Sequence, residues 1–305
     1  MNRVVYIVLL SIIIFSSFSI AKKKLKGWRK DYPVVVYSVL SGENERDRII
    51  RMKPVTDYLT KELGVEVKLF TATDYAGTIE AMKAGKAHFA SYGTASYAAA
   101  WDAMKGNVEP LLTQTDETGG SGYHSTIWVR KDSNIESLDD LKGKTLAFAD
   151  PNSTSGFLVP SYYLRKFGYD YDTYFSKTGF SGSHENGILA VVKGTYNAAC
   201  TWFTNEERNN PLRMSRKGMI DIDEIKMIWK SPIITNGPIA AIKSLPQEMK
   251  DDFKNTMLAF PKKNPEGWKA YFHPDPPRPG YIEVNHARYV DFIEMREQNL
   301  LARKN

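Results

Sequence analysis

The chain of 305 residues contains a single cysteine, Cys200. That excludes an intramolecular disulfide and any cysteine metal cluster. Long apolar runs are also missing: beyond the N-terminal segment none reaches the length needed to cross a bilayer. The 41 basic and 35 acidic residues leave a net charge of +6, but the basic ones are scattered. No stripe of Arg, Lys and aromatic residues tracks a polymer backbone, so nucleic-acid binding is set aside. There is no internal repeat, no long low-complexity tract and no Gly-x-Ser-x-Gly elbow of the kind that carries a nucleophilic serine. What remains is an ordinary globular composition, long enough for two domains with a core each.

The first residues read as an export signal. Arg3 supplies the positive start, Val4 to Phe18 is almost wholly apolar or Ser, and Ser19-Ile20-Ala21 offers small residues for cleavage. A signal peptide over residues 1–21, removed near Ala21, is expected, and with it a periplasmic protein. An uncleaved membrane anchor is the alternative, but the run is short for a span and Lys22-Lys23-Lys24 follows at once. No cysteine stands near the junction, which argues against a lipoprotein. Cleavage removes one positive charge, Arg3, and no acid, so the net charge falls from +6 to +5. A positive balance suits an anionic ligand.

Along the mature chain, strand and helix patterns alternate. Val34 to Val39 is a β-branched run, Asn44 to Leu63 has apolar residues at helical spacing before Gly64, and Val65 to Phe70 alternates as a second strand. Thr73-Asp74-Tyr75-Ala76-Gly77 leads into a helix over 78–84; another strand and loop cover 88–94, a helix 96–104 and a strand 110–114. The Gly-rich stretch 118–122 marks a passage to a second lobe, where the pattern resumes. There a strand over 145–148, a helix over 158–167, a helix over 188–193 and strands over 197–202 and 225–229 are expected. Residues 231–238 read as a return crossing, and helices over 246–260 and 289–303 as packing on the first lobe. Asp275-Pro276-Pro277-Arg278-Pro279-Gly280 reads as a surface turn. The fold class is therefore α/β with two lobes: residues 31–120 and 233–305 form one, residues 123–230 the other, with hinge crossings near 118–124 and 230–238. That is the architecture of a binding protein that closes on a ligand held between its lobes.

One stretch concentrates ligand chemistry. Asp150-Pro151-Asn152-Ser153-Thr154-Ser155-Gly156 sets three hydroxyls before an apolar helix start. Unpaired N–H groups and the helix dipole favour an anion there. The same residue types are also ordinary helix caps, and both readings stand at this point. Tyr75, at a strand-to-helix junction, either faces a ligand or closes the core edge. No metal or cofactor site is expected. Ser153 and His184 could be imagined as nucleophile and base, but no Asp is obviously placed to orient the histidine, so an enzyme is not expected. A sensory domain tethered by its N-terminal segment is the third reading.

The residues Asp74-Tyr75-Ala76-Gly77, Ser91-Tyr92-Gly93, Gly122-Tyr123, Asp150 to Pro160, His184-Glu185-Asn186 and Trp229-Lys230-Ser231-Pro232 occur in an order that resembles the phosphonate-binding components of bacterial ABC importers. That family of periplasmic proteins also has phosphite and phosphate binders. The resemblance runs from about Val34 to the C-terminal helices. It implies a type II periplasmic-binding-protein fold, a monomer, a small phosphorus oxyanion as ligand and an inner-membrane ABC permease as partner. It further implies that Ser153, Thr154, Ser155 and His184 hold the phosphonate oxygens from the second lobe, with Tyr75 and Tyr123 approaching from the first lobe and the crossing. His88, His124, His273 and His286 are read as structural or surface histidines.

Family members that take aminoalkylphosphonates set carboxylates opposite the phosphonate. Ungapped comparison puts those positions at Thr204 and Gly237, which carry no charge, although a slipped register could bring in Glu206. Trp202 and Phe203 beside the first, with Tyr92, complete the candidate specificity positions. The expected ligand therefore lacks a cationic tail and is methylphosphonate-like, with phosphite, phosphate or an aminoalkylphosphonate as alternatives.

Overall fold

The computed structural model describes residues 25–302. The expected signal segment, residues 1–21, lies outside them. Strand β1 (Val34–Val39) runs into helix α1 (Glu45–Leu63), whose Asn44 cap accepts the Asp47 N–H and which ends at Gly64 with a left-handed φ of 69°. Strand β2 (Glu66–Thr71), helix α2 (Tyr75–Lys83), strand β3 (Phe89–Ser91), helix α3 (Thr94–Ala103) and strand β4 (Val108–Gln114) follow. β1 pairs parallel with both β2 and β3, the geometry that βαβ crossovers require.

The chain then enters a second sheet. It contains β5 (Gly122–Arg130), β6 (Thr145–Phe148), helix α4 (Val159–Lys166), β7 (Lys177–Phe180), α5 (His184–Val192), β8 (Ala198–Asn205), β9 (Arg208–Asn209), α6 (Asn210–Arg216) and β10 (Ile225–Lys230). Both faces of this sheet are covered, Phe148 and Phe157 on one side and Ile188, Val191 and Phe203 on the other. Its central strands accordingly read as apolar runs rather than as strict alternation.

The return passes through β11 (Ile234–Thr235), which pairs antiparallel with the start of β5, so the two crossings lie side by side. Strand β12 (Ile239–Ile242) then inserts between β3 and β4, antiparallel to both because it arrives from the other lobe. Helices α7 (Gln247–Lys263) and α8 (Pro265–Phe272), strand β13 (Tyr281–Glu283) and helix α9 (Val290–Ala302) complete the chain. The first sheet has the order β13-β4-β12-β3-β1-β2, and Phe253 of α7 stacks on Phe89 at 3.9 Å in its core.

Three expectations change. Helix α9 does not rest on the first lobe alone: Asn299 also bonds Ser161 (2.8 Å) and Arg165 (3.0 Å) of α4. The helix over 188–193 begins four residues earlier, so His184 is a helical first-turn residue rather than part of a loop. The Pro-rich segment 275–280 is a surface turn only in part: Pro276, Pro277 and Pro279 are exposed, but its first and fourth residues turn inward. Asp275 is buried, and the Arg278 carbonyl accepts the Trp268 indole N–H at 2.7 Å. Composition marks a turn there, but ion pairing to Arg216 draws its acid inward.

Candidate ligand-binding site

The carboxyl ends of β1 and β3, the starts of α2 and α5 and the crossings enclose a cavity of about 350 Å³ between the lobes. Strand ends facing helix starts form the usual ligand crevice of open α/β sheets.

The hydroxyl-rich stretch after β6 forms one wall. Asp150 organises it by accepting the N–H groups of Asn152 (2.7 Å) and, from the other lobe, Tyr75 (3.2 Å). Ser153 caps the following turn, its Oγ accepting the Gly156 N–H at 3.1 Å. The Leu158 N–H reaches back to the Ser153 carbonyl at 2.9 Å, five residues earlier, making Thr154–Leu158 a π-helical turn that continues into α4. Such turns are rare and frequent at functional sites. Ser153 thus caps the turn, while the N–H groups of Thr154 and Ser155, in the first turn, have no intrahelical acceptor to satisfy them. Gly156 is required here, because a Cβ would lie 2.4 Å from that of Ala149 and 3.0 Å from the His184 ring.

His184 is buried at the first position of α5. Its Nε2 lies 3.3 Å from Ser153 Oγ and its Nδ1 3.2 Å from Thr201 Oγ1. Burial pulls its pKa down to about 4, so the imidazole is neutral at neutral pH. Burial, with Asp150 nearby, pushes the Tyr75 phenol up, and burial does the same to Tyr123; both stay protonated. Ser153 meets Tyr75, while Thr154 and Ser155 meet Tyr123. This wall therefore presents neutral hydroxyl, imidazole and N–H groups at helix starts. It can bind an oxyanion through hydrogen bonds and dipoles without a charged clamp.

Five of the six expected contacts, Tyr75, Tyr123, Ser153, Ser155 and His184, line the cavity. Thr154 does not. Its Oγ1 accepts the Ala95 N–H at 2.8 Å and so caps α3 of the opposite lobe, whose own cap residue, Gly93, has no side chain to do so. Tyr92, Trp202, Thr204 and Gly237 line the rest of the cavity. Phe203 lies in the core instead, because successive residues of β8 point to opposite faces and Trp202 and Thr204 take the cavity face. Glu206 is exposed and is not part of the lining, so no slipped register brings it in. Gly237 has a packing reason of its own: a Cβ would lie 2.1 Å from the Tyr92 carbonyl oxygen. An acidic side chain cannot enter there without moving the backbone.

Sequence reasoning missed the far end, where Arg51, Arg208, Arg213 and Arg278 meet Glu43 and Asp275. Burial alone would raise the Glu43 carboxyl, but Arg51 (2.6 Å) and Arg213 (3.0 Å) hold it below its usual range. Asp275 is paired with Arg216 at 3.0 Å, and Glu185 with Lys217 at 2.6 Å. Two of these pairs, Arg213 with Glu43 and Arg216 with Asp275, join the lobes. The available signal was a lone Arg inside the Pro-rich segment, which composition alone assigns to solvent.

Two α/β lobes, paired crossings and a cavity between strand ends and helix starts define a type II periplasmic binding protein. A family model described as "ABC transporter, phosphonate, periplasmic substrate-binding protein" matches residues 37–288, and the chain belongs to that family. The chain is 36% identical over 230 residues to the phosphonates-binding periplasmic protein of Escherichia coli, a match covering 74% of this chain and 66% of that protein, just under two thirds. Among solved structures, a binding protein component of an ABC phosphonate transporter from Pseudomonas aeruginosa is similar, with a TM-score of 0.77, 26% identity and 88% of each chain covered. PhnD1 from Prochlorococcus marinus, in complex with methylphosphonate, shares the fold at a TM-score of 0.73 and 21% identity over 87% of this chain and 98% of that one. These relatives are binding components of transporters rather than enzymes.

Proposed function

We propose that this protein is exported, is cleaved near Ala21, and works as a monomer that captures a small phosphonate without a cationic tail and delivers it to an inner-membrane ABC permease. Tyr75, Tyr123, Ser153, Ser155 and His184 hold the phosphonate oxygens, and Thr154 acts with them by joining the lobes. The chain divides at its crossings, near 118–124 and 230–238, into the two lobes that close on the ligand.

The observation that carries the ligand class is at Thr204. A tail ammonium would meet the Arg278 guanidinium there, whose Nη2 donates to Thr204 Oγ1 at 3.3 Å. An unpaired buried ammonium beside it costs several kcal/mol. Calorimetry with methylphosphonate, phosphite, phosphate and 2-aminoethylphosphonate tests the reading. Methylphosphonate is expected to bind at least as tightly as the amine. Much tighter binding of 2-aminoethylphosphonate than of methylphosphonate and phosphite overturns it.

A further inference from the structure

The cavity is larger than a phosphonate group with one methyl requires, and its two ends differ in chemistry. The residues that line the cavity at the cradle end are uncharged except for Glu185. Overall the lining carries four guanidiniums against three carboxylates, and each carboxylate is already held by a cation of the protein. The guanidiniums are not all so provided. Arg51 and Arg213 are spent on Glu43, and Arg208 donates to the Pro276 carbonyl. Like Arg208, Arg278 forms no ion pair among the described residues. Its Nη2 reaches only the Thr204 hydroxyl, and its Nη1 is buried without a partner. The hydroxyl of Tyr92, which lines the same cavity, is likewise buried and unpartnered. Buried donors are almost always satisfied in folded proteins, and a buried guanidinium without an anion is costly. Burial, with Arg208 beside it, lowers the Arg278 pKa to about 10, which still leaves it charged at neutral pH.

We propose that the far end of the cavity is a subsite for an anionic substituent, and that the protein takes short phosphonates bearing a carboxylate, which pairs with Arg278. This rests on the phosphonate reading of the cradle and extends it. The planar guanidinium fork suits a carboxylate in two-point contact. The positive ends of α2, α3 and α5 around the cradle leave the other end of the same ligand free to carry its own charge.

Phosphonoacetate, 3-phosphonopropionate and methylphosphonate, titrated calorimetrically into the wild-type protein and into Arg278→Gln, test this. At least one phosphonocarboxylate is expected to bind tenfold or more tightly than methylphosphonate to the wild type. In Arg278→Gln the ratio of the two dissociation constants should fall toward one. If methylphosphonate binds as tightly as both phosphonocarboxylates, the subsite is refuted while the phosphonate reading stands. A tenfold preference unaffected by Arg278→Gln refutes the role of Arg278. If none of the three binds, both readings fail. The wild-type comparison decides the matter even where the variant folds poorly.

Discussion

Replacing Thr154 with Ala probes how closure is built into the cradle. In the structure Thr154 Oγ1 caps α3 from across the cleft, accepting the Ala95 N–H at 2.8 Å. Removing an N-cap hydroxyl costs about 1–2 kcal/mol. Here that cost falls on the closed form, because opening the lobes lets water reach the Ala95 N–H. With tenfold in affinity per 1.4 kcal/mol, ligand binding should weaken roughly five- to thirtyfold. Small-angle scattering of the ligand-free variant should report a larger radius of gyration, and Thr154→Ser should restore both properties. A control separates capping from closure. A side chain at Gly93 would lie 2.9 Å from Thr154 Oγ1, so the double variant Gly93→Ser with Thr154→Ala has room for a cap within the first lobe. That variant should regain melting temperature without regaining affinity. If the double variant recovers full affinity, or if Thr154→Ala binds as the wild type does, the cross-lobe cap is not what couples binding to closure.

Two further outcomes follow from buried polar groups. His184 has a folded pKa of about 4 against an ordinary 6.5, so between these values the unfolded chain binds a proton that the folded chain excludes. Stability should be complete above about pH 6.5 and fall by up to about 3 kcal/mol as pH drops to 4; an equally steep decline in His184→Gln would refute this. Tyr92→Phe removes a buried hydroxyl with no partner, so the ligand-free protein should melt at the same or a higher temperature, while phosphonate binding weakens about fivefold. Unchanged affinity in the presence of normal folding would exclude Tyr92 from the site.

Much of the fold was legible because it rests on local rules. The β-branched run of β1, the Asn44 cap and Gly64 stop of α1, and the hydroxyl cluster before α4 each announce themselves within a few residues. So do Tyr75, Ser153 and Ser155, which stand where strand ends meet helix starts; His184 entered only through the family resemblance, since the helix was expected to begin at 188. Alternation along β8 could have separated Trp202 and Thr204 from Phe203, had the strand been extended beyond Trp202.

By itself the sequence determined the alternation of strands and helices, the two-lobed α/β class and the place of the hydroxyl-rich stretch before α4. These follow from periodicity, caps and glycines acting over one or two turns. Only the tertiary structure decided that the Thr154 hydroxyl serves the opposite lobe and that the Gly237 backbone packs against Tyr92 and Gly93. It alone also drew Asp275 inward and set Arg278 on the cavity. Each of these depends on partners dozens to more than a hundred residues away, and such pairings arise from lobe packing and charge pairing that no local pattern encodes.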